Sequence, residues 1–191
     1  MQAVKKIKAA DLEQAGACQE QVDLFRQTFG EEAEVGIPVT QDSLNRMGGA
    51  GLDVKWLIEV FRLSGIEYQW DGTGGMVLER HWRHGLRHGV ERRWYPSGVL
   101  HYEGHLEDGK HHGTWRFYDP DGSLCREEEW CRGRLHGAVR NWYSDGSRWE
   151  IHYRYGELHG LERRWHPDGT LAYCREWQHG DLREEEDREA Q

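Results

Sequence analysis

Arg92, Arg116, Arg140 and Arg163 recur at steps of 24, 24 and 23 residues, and each is followed two positions later by Trp94, Tyr118, Trp142 or Trp165. A column of guanidinium groups can grip a carboxylate or a phosphate, because each group is a fixed fork of N–H donors. It can equally stack on tryptophan by cation–π contact and pair across strands with glutamates, which stabilises a sheet. In both cases the surface suits a protein partner, since arginine and tryptophan dominate interface energetics. These eight residues form the candidate partner-binding set.

Other chemistry fits less well. All twelve histidines lie between His81 and His179. If each period is one hairpin, equivalent histidines stand two strands apart, about 10 Å at roughly 4.8 Å per strand, too far to share a metal ion. The local pair His84 and His88 does not recur, because His84 becomes Asp108, Arg132 or Tyr155 in later copies. Cys18, Cys125, Cys131 and Cys174 lack CxxC spacing and read as reduced buried thiols. There is no HExxH, GxSxG or phosphate-binding glycine loop, and histidine and glutamate repeat along the chain without converging. The expectation is a non-enzyme without metal or cofactor.

The elements that must carry these residues are set by glycine. Gly65, Gly89, Gly113, Gly137 and Gly160 open five units, a second glycine follows nine residues later, and a third closes each unit at Gly85, Gly109, Gly133, Gly156 and Gly180. Such a period marks a repeat architecture. The runs between glycines are strand length, and Tyr95-Pro96-Ser97-Gly98 or Asp119-Pro120-Asp121-Gly122 is turn chemistry. Each unit reads as a hairpin, and the hairpins follow one another as a single-layer antiparallel meander.

With alternation assigned by position, Ile66, Val90, Thr114, Ala138 and Leu161 share a face with the arginine and aromatic columns. Met76, Leu100, Leu124 and Leu171 are expected on that face, as are Trp82, Leu106, Trp130, Tyr153 and Trp177. The opposite, solvated face is expected to carry Glu91, His101, Glu103, His105, Glu127, Glu129 and Glu162. Unit four is one residue short between Gly146 and Gly156. Trp149 then matches Tyr102 and Tyr173, so an irregularity is expected between Gly146 and Trp149.

The paired aromatics, the Asp/Ser-Gly turn and the Gly-x-x-His-Gly turn resemble the MORN repeat, and more closely the variant form common in bacterial proteins. The resemblance covers residues 65–180. His88, His112, His136 and His159 match the family's turn position, whereas Ser64 and Arg183 depart from it. It implies a mainly β fold and a protein-binding platform, with lipid contact or an antitoxin role as the other functions found on such repeats.

The rest of the chain is organised differently. Leu12, Ala15, Cys18, Val22, Phe25 and Phe29 fall on one helical face over Asp11–Phe29, with Asp11 as cap and Gly30 as stop. Asp53 can cap a second helix bearing Val54, Leu57, Ile58 and Phe61. Between them, Val35 to Gly51 reads as a loop with a short helix after Thr40, and Gly48-Gly49-Ala50-Gly51 as a hinge. The segment loosely resembles small helical pieces that precede repeat regions in bacterial and phage proteins. Two roles remain open for it: capping the first hairpin, or recruiting a partner.

The expected organisation is therefore a helical segment over 1–64, repeats over 65–180 and an acidic tail over 181–191. That tail holds six acids and two arginines and reads as a frayed, solvated end. Net charge is −9, which argues against nucleic acid or anionic membrane as a general partner. No run of about 20 apolar residues is available to span a bilayer, and the first residues lack the apolar segment of a secretory signal. A cytoplasmic protein that binds another protein is expected, with self-association open. The rival readings are a phage-related inhibitor or antitoxin occluding an enzyme or nucleic-acid-binding complex, and a lipid-headgroup contact.

Overall fold

The structure is a computed structural model and describes residues 3–37 and 48–187. It divides into two compact units, Met1–Gly89 and Val90–Gln191.

In the first unit, β1 (Ala3–Lys8) pairs antiparallel with β2 (Glu32–Ile37), from Ala3↔Ile37 to Lys8↔Glu32. Between these strands run α1 (Ala9–Gln14) and α2 (Gln19–Phe29). The apolar periodicity was legible, since Leu12, Val22 and Phe25 are buried. The single helix is not, because the chain breaks at Gly16, whose φ of +86° lies outside the helical region. Asp11 sits inside α1, and its carboxylate accepts the N–H of Lys8 at 2.9 Å. Gly30 does end α2, with φ +78°.

The stretch expected to be loop from Val35 begins as strand β2, and the short helix placed after Thr40 lies outside the described residues. The glycine run expected to be a hinge is pinned: Gln21 donates to the Gly51 carbonyl at 3.2 Å and accepts the Asp53 N–H at 2.8 Å.

Asp53 caps α3 (Val54–Phe61) by accepting the Trp56 N–H at 2.9 Å. Leu57, Ile58 and Leu63 join Ile7, Leu12, Val22 and Phe25 in one core, and that core also takes in Trp82 from the first hairpin. The end of α3 meets the hairpin turn closely. Gly85 donates its N–H to the Leu63 carbonyl at 2.8 Å, and a Cβ there would stand 2.9 Å from both Arg62 Cα and the Glu59 carbonyl. The helices therefore cover the first hairpin.

Eleven strands form one antiparallel meander in sequence order: β3 (Gly65–Trp70), β4 (Met76–Arg83), β5 (Leu86–Trp94), β6 (Leu100–Glu107), β7 (Lys110–Tyr118), β8 (Leu124–Cys131), β9 (Arg134–Trp142), β10 (Arg148–Arg154), β11 (Glu157–Trp165), β12 (Leu171–Gln178) and β13 (Asp181–Asp187). The fold is mainly β, as the glycine period implied. Two kinds of turn alternate. Asp108-Gly109, with φ of 47° and 80°, represents the two-residue loops in which both central residues are left-handed. At the other end, Asp121 accepts both the N–H and the hydroxyl of Ser123, at 2.8 and 2.6 Å, an aspartate turn that needs no distant support.

The chain does not stop at Gly180. Residues 181–187, expected to fray, form β13, which pairs with β12 from Gln178↔Asp181 to Tyr173↔Asp187. Backbone pairing needs no apolar signal in the added strand, so a run of acids can extend a sheet that already offers a free edge.

Within the meander, Phe117 pairs with Arg126 and Tyr118 with Leu124, which leaves Cys125 without a partner. Val77 and Ala172 are skipped in the same way. Each is a β-bulge, and each reverses the alternation of everything beyond it. Unit four has no such residue: Trp142↔Arg148 is followed directly by Asn141↔Trp149. Its missing residue is the bulge itself, within the interval where the irregularity was expected.

The bulges correct the face assignment. Trp82, Trp130, Tyr153 and Trp177 pair with Gly65, Gly113, Gly137 and Gly160, and Leu106 pairs with His111. All five lie opposite the arginine face. Glu103 and Glu127, expected on the far side, pair with Arg116 and stand on the arginine face, as do His105, opposite His112, and Glu129, opposite Thr114.

Candidate protein-interaction face

Two faces of different chemistry result. On one, Leu106, Trp115, Val139 and Ile151 are buried together with the carboxylates of Glu91, Glu128 and Glu162. A buried carboxylate is costly unless donors surround it. Here the polar tips of aromatic rings serve as donors, joined at Glu128 by Arg126 Nε at 2.7 Å. Glu162 accepts Trp149 Nε1 and the Tyr173 hydroxyl, both at 3.0 Å on one oxygen, and Trp177 Nε1 at 2.8 Å on the other. Glu91 accepts the Tyr102 hydroxyl at 3.0 Å, and Glu128 accepts Trp130 Nε1 at 2.8 Å. In unit three, Trp115 stands where units one, two and five have glutamate, and a Cβ on Gly104 would fall inside its indole ring. Gly104 is therefore where one backbone makes room for an aromatic ring.

The other face carries all eight candidate residues. Its centre is a ladder of alternating charge across seven successive strands. Arg92 Nε lies 3.3 Å from Glu103, and Arg116 reaches Glu103 at 3.9 Å and Glu127 at 3.0 Å. Arg140 reaches Glu127 and Glu150 at 2.8 Å each, and Arg163 reaches Glu150 at 3.7 Å. Hydrogen bonds to Glu150 and Glu127 raise the pKa of Arg140 above the ordinary arginine value. Within the second unit the ladder runs from Arg92 on β5 to Arg163 on β11, and it ends there because Arg163 faces Cys174 and not a carboxylate. The arginine side chains remain about a third to two fifths exposed, at 39, 44, 31 and 37 %.

Beside the ladder, toward the aspartate turns, runs the aromatic row of Trp94, Tyr118, Trp142 and Trp165. All four are half-buried, and burial pushes the Tyr118 phenol up in pKa. Aliphatic or cationic residues stand between them: Leu124 is opposite Tyr118, Leu171 is opposite Trp165, and Arg148 lies between Trp142 and Trp165. The cation–π contact expected of the arginine column occurs instead at Arg148, whose guanidinium is 3.9 Å from the Trp165 ring centroid.

Glu103, Glu127, Glu150 and Arg148 complete the site and were missed as members of it. A signal for the glutamates existed. Glu79, Glu103, Glu127 and Glu150 each stand six residues before a closing glycine, so they recur with the same step as the arginines. Counting from the opening glycine put Glu127 on the far face, because the bulge at Cys125 lies between the two.

Among the described residues no helix is long and apolar enough to cross a membrane, and no group of three or more His, Cys, Asp or Glu could hold a metal ion. The architecture is that of a β-hairpin repeat protein. Three of the repeats are similar to the MORN repeat variant, whose sequence profile matches residues 87–108, 112–131 and 158–179. These segments correspond to units two, three and five. MORN repeats are non-catalytic modules generally associated with protein or membrane-lipid interactions. No match was found among the curated proteins.

Proposed function

We propose that this chain is a non-enzymatic interaction module whose arginine and aromatic face, Arg92, Arg116, Arg140, Arg163, Trp94, Tyr118, Trp142 and Trp165, binds another protein. The observation that carries the reading is the half-exposed aromatic row. The opposite face uses its indole and phenol donors on buried glutamates, whereas this row lies beside a charge ladder that is itself internally paired. A free column of guanidiniums would suit lipid phosphates. Here each arginine already faces a carboxylate, which favours a protein surface over a headgroup. A cytoplasmic setting suits the four free cysteines.

Replacing Arg116 and Arg140 with glutamine is a poor probe, because it strips partners from Glu127 and Glu150, whose side chains are only 17 and 16 % exposed. Replacing Trp94 and Trp142 with serine leaves the ladder intact. Interface tryptophans are worth about 2 kcal/mol or more, so the affinity for the partner captured from the native host should fall at least about thirtyfold, with the near-ultraviolet circular dichroism of the remaining tryptophans retained. Undiminished capture by a folded double variant would remove this face from the function. Capture by anionic vesicles, in place of any protein, would assign the face to lipid.

A further inference from the structure

The geometry points to a second copy of this chain as a partner of the arginine and aromatic face, with two sheets packed face to face about a two-fold axis parallel to the strands. This inference rests on the protein-binding reading of that face and names the partner. The charges from Arg92 on β5 to Arg163 on β11 change sign at every strand. Signs therefore alternate about every 4.8 Å, and like charges recur about every 9.6 Å. A rigid surface that complements such a pattern must itself alternate at strand pitch, and a second copy of this ladder does so.

The charges also select the arrangement. A two-fold axis running across the strands lays each strand on its own equivalent, so that arginine meets arginine. An axis parallel to the strands but centred on β8 has the same defect, placing Glu127 on Glu127 and Arg116 on Arg140. Moved by half a strand spacing, to lie between β7 and β8, the axis sets each of the six charges from Arg92 to Glu150 against its opposite. Arg116 then faces Glu127 of the second copy, Glu103 faces Arg140, and Arg92 faces Glu150. The contact is isologous, each pair occurring twice, and it keeps the strands of the two sheets aligned as face-packed sheets require.

The neighbouring row supplies an independent constraint and gives the same answer. Its rings sit on β5, β7, β9 and β11, while smaller or flexible side chains such as Leu124 and Arg148 occupy the strands between. The offset that puts Arg116 over Glu127 puts Tyr118 over Leu124 of the second copy and Trp94 over Arg148. Large side chains fall into the gaps between large side chains, as packed interfaces need.

Sedimentation equilibrium on the full chain tests this. The wild type should form a dimer whose dissociation constant rises roughly tenfold between low and high salt, because the ladder is partly exposed. The variants Arg116→Glu/Arg140→Glu and Glu103→Arg/Glu127→Arg also break ion pairs within the sheet, so each is read only where it keeps the wild-type β spectrum. Each should then be monomeric alone, and an equimolar mixture should give a heterodimer by native mass spectrometry. Heterodimer formation also reports that both faces are folded. If either variant loses its β spectrum, Leu124→Lys, which leaves the ladder untouched, should still yield monomer. A wild type that stays monomeric at all soluble concentrations overturns self-pairing, as does a Leu124→Lys chain that dimerises like wild type. If that monomeric wild type nevertheless captures a host protein through Trp94 and Trp142, only the identity of the partner is wrong. If capture is also insensitive to those tryptophans, the protein-binding reading fails with it.

Discussion

Glu162 shows how this sheet keeps a carboxylate at 6 % exposure on the face that holds its apolar core. Three neutral donors from β10 and β12 converge on its two oxygens, so both neighbouring strands are tied to β11 through one side chain. Glutamine has the same shape but replaces one acceptor with a donor. Whichever way the amide turns, either Trp177 or the pair Trp149 and Tyr173 faces an N–H. A buried donor left unsatisfied costs about 1–3 kcal/mol, so Glu162→Gln should lower the unfolding free energy by about that amount in a urea titration. A change within error would mean that water reaches the site.

At the scale of elements, β13 illustrates a strand whose sequence argues against it. Glu184, Glu185, Glu186 and Asp187 pair with β12, and they form the outer edge of the sheet. Charge on an edge strand discourages another chain from adding to it. Deleting residues 181–191 would bare β12, which carries Tyr173, Cys174 and Trp177 and only one acid, Glu176. The truncated chain should melt at lower temperature and scatter light at concentrations where the full chain is clear. An unchanged melting temperature would show that β13 contributes nothing to the fold.

At the scale of the whole molecule, repetition makes small effects add along the array. Asp71, Asp121, Asp145 and Asp168 each hold a turn, and hydrogen bonds from Thr73, Ser123, Ser147 and Thr170 hold their carboxyls below the usual aspartate range. The folded pKa lies below the unfolded one at every site. The associated stability is therefore fully present above the ordinary aspartate value and is lost as pH falls through the lowered folded values. Stability measured by urea should decline on acidification below about pH 4, and the chain with all four aspartates changed to asparagine should show a shallower decline. Equal slopes for the two proteins would assign the acid sensitivity to other carboxylates.

The sequence alone determined the period, the five hairpins between Gly65 and Gly180, both classes of turn, the capping of α3 by Asp53 and the irregular fourth unit. All of these are local: a glycine at positive φ or an aspartate two residues before its donor acts within a few residues. It also placed the eight candidate residues on one face, because they lie between an opening glycine and the following turn, with no bulge between them. Only the tertiary structure decided which residues stand opposite. A bulge such as Cys125 is defined by the strand beside it, and one skipped residue moves Trp130 to the far face and brings Glu127 beside Arg116 and Arg140. The same holds for Trp82, which joins the helical core through packing over distant sequence, and for β13, whose partner is a free backbone edge. Alternation is a local rule whose phase is set by non-local pairing, and that phase fixed the chemistry of each face.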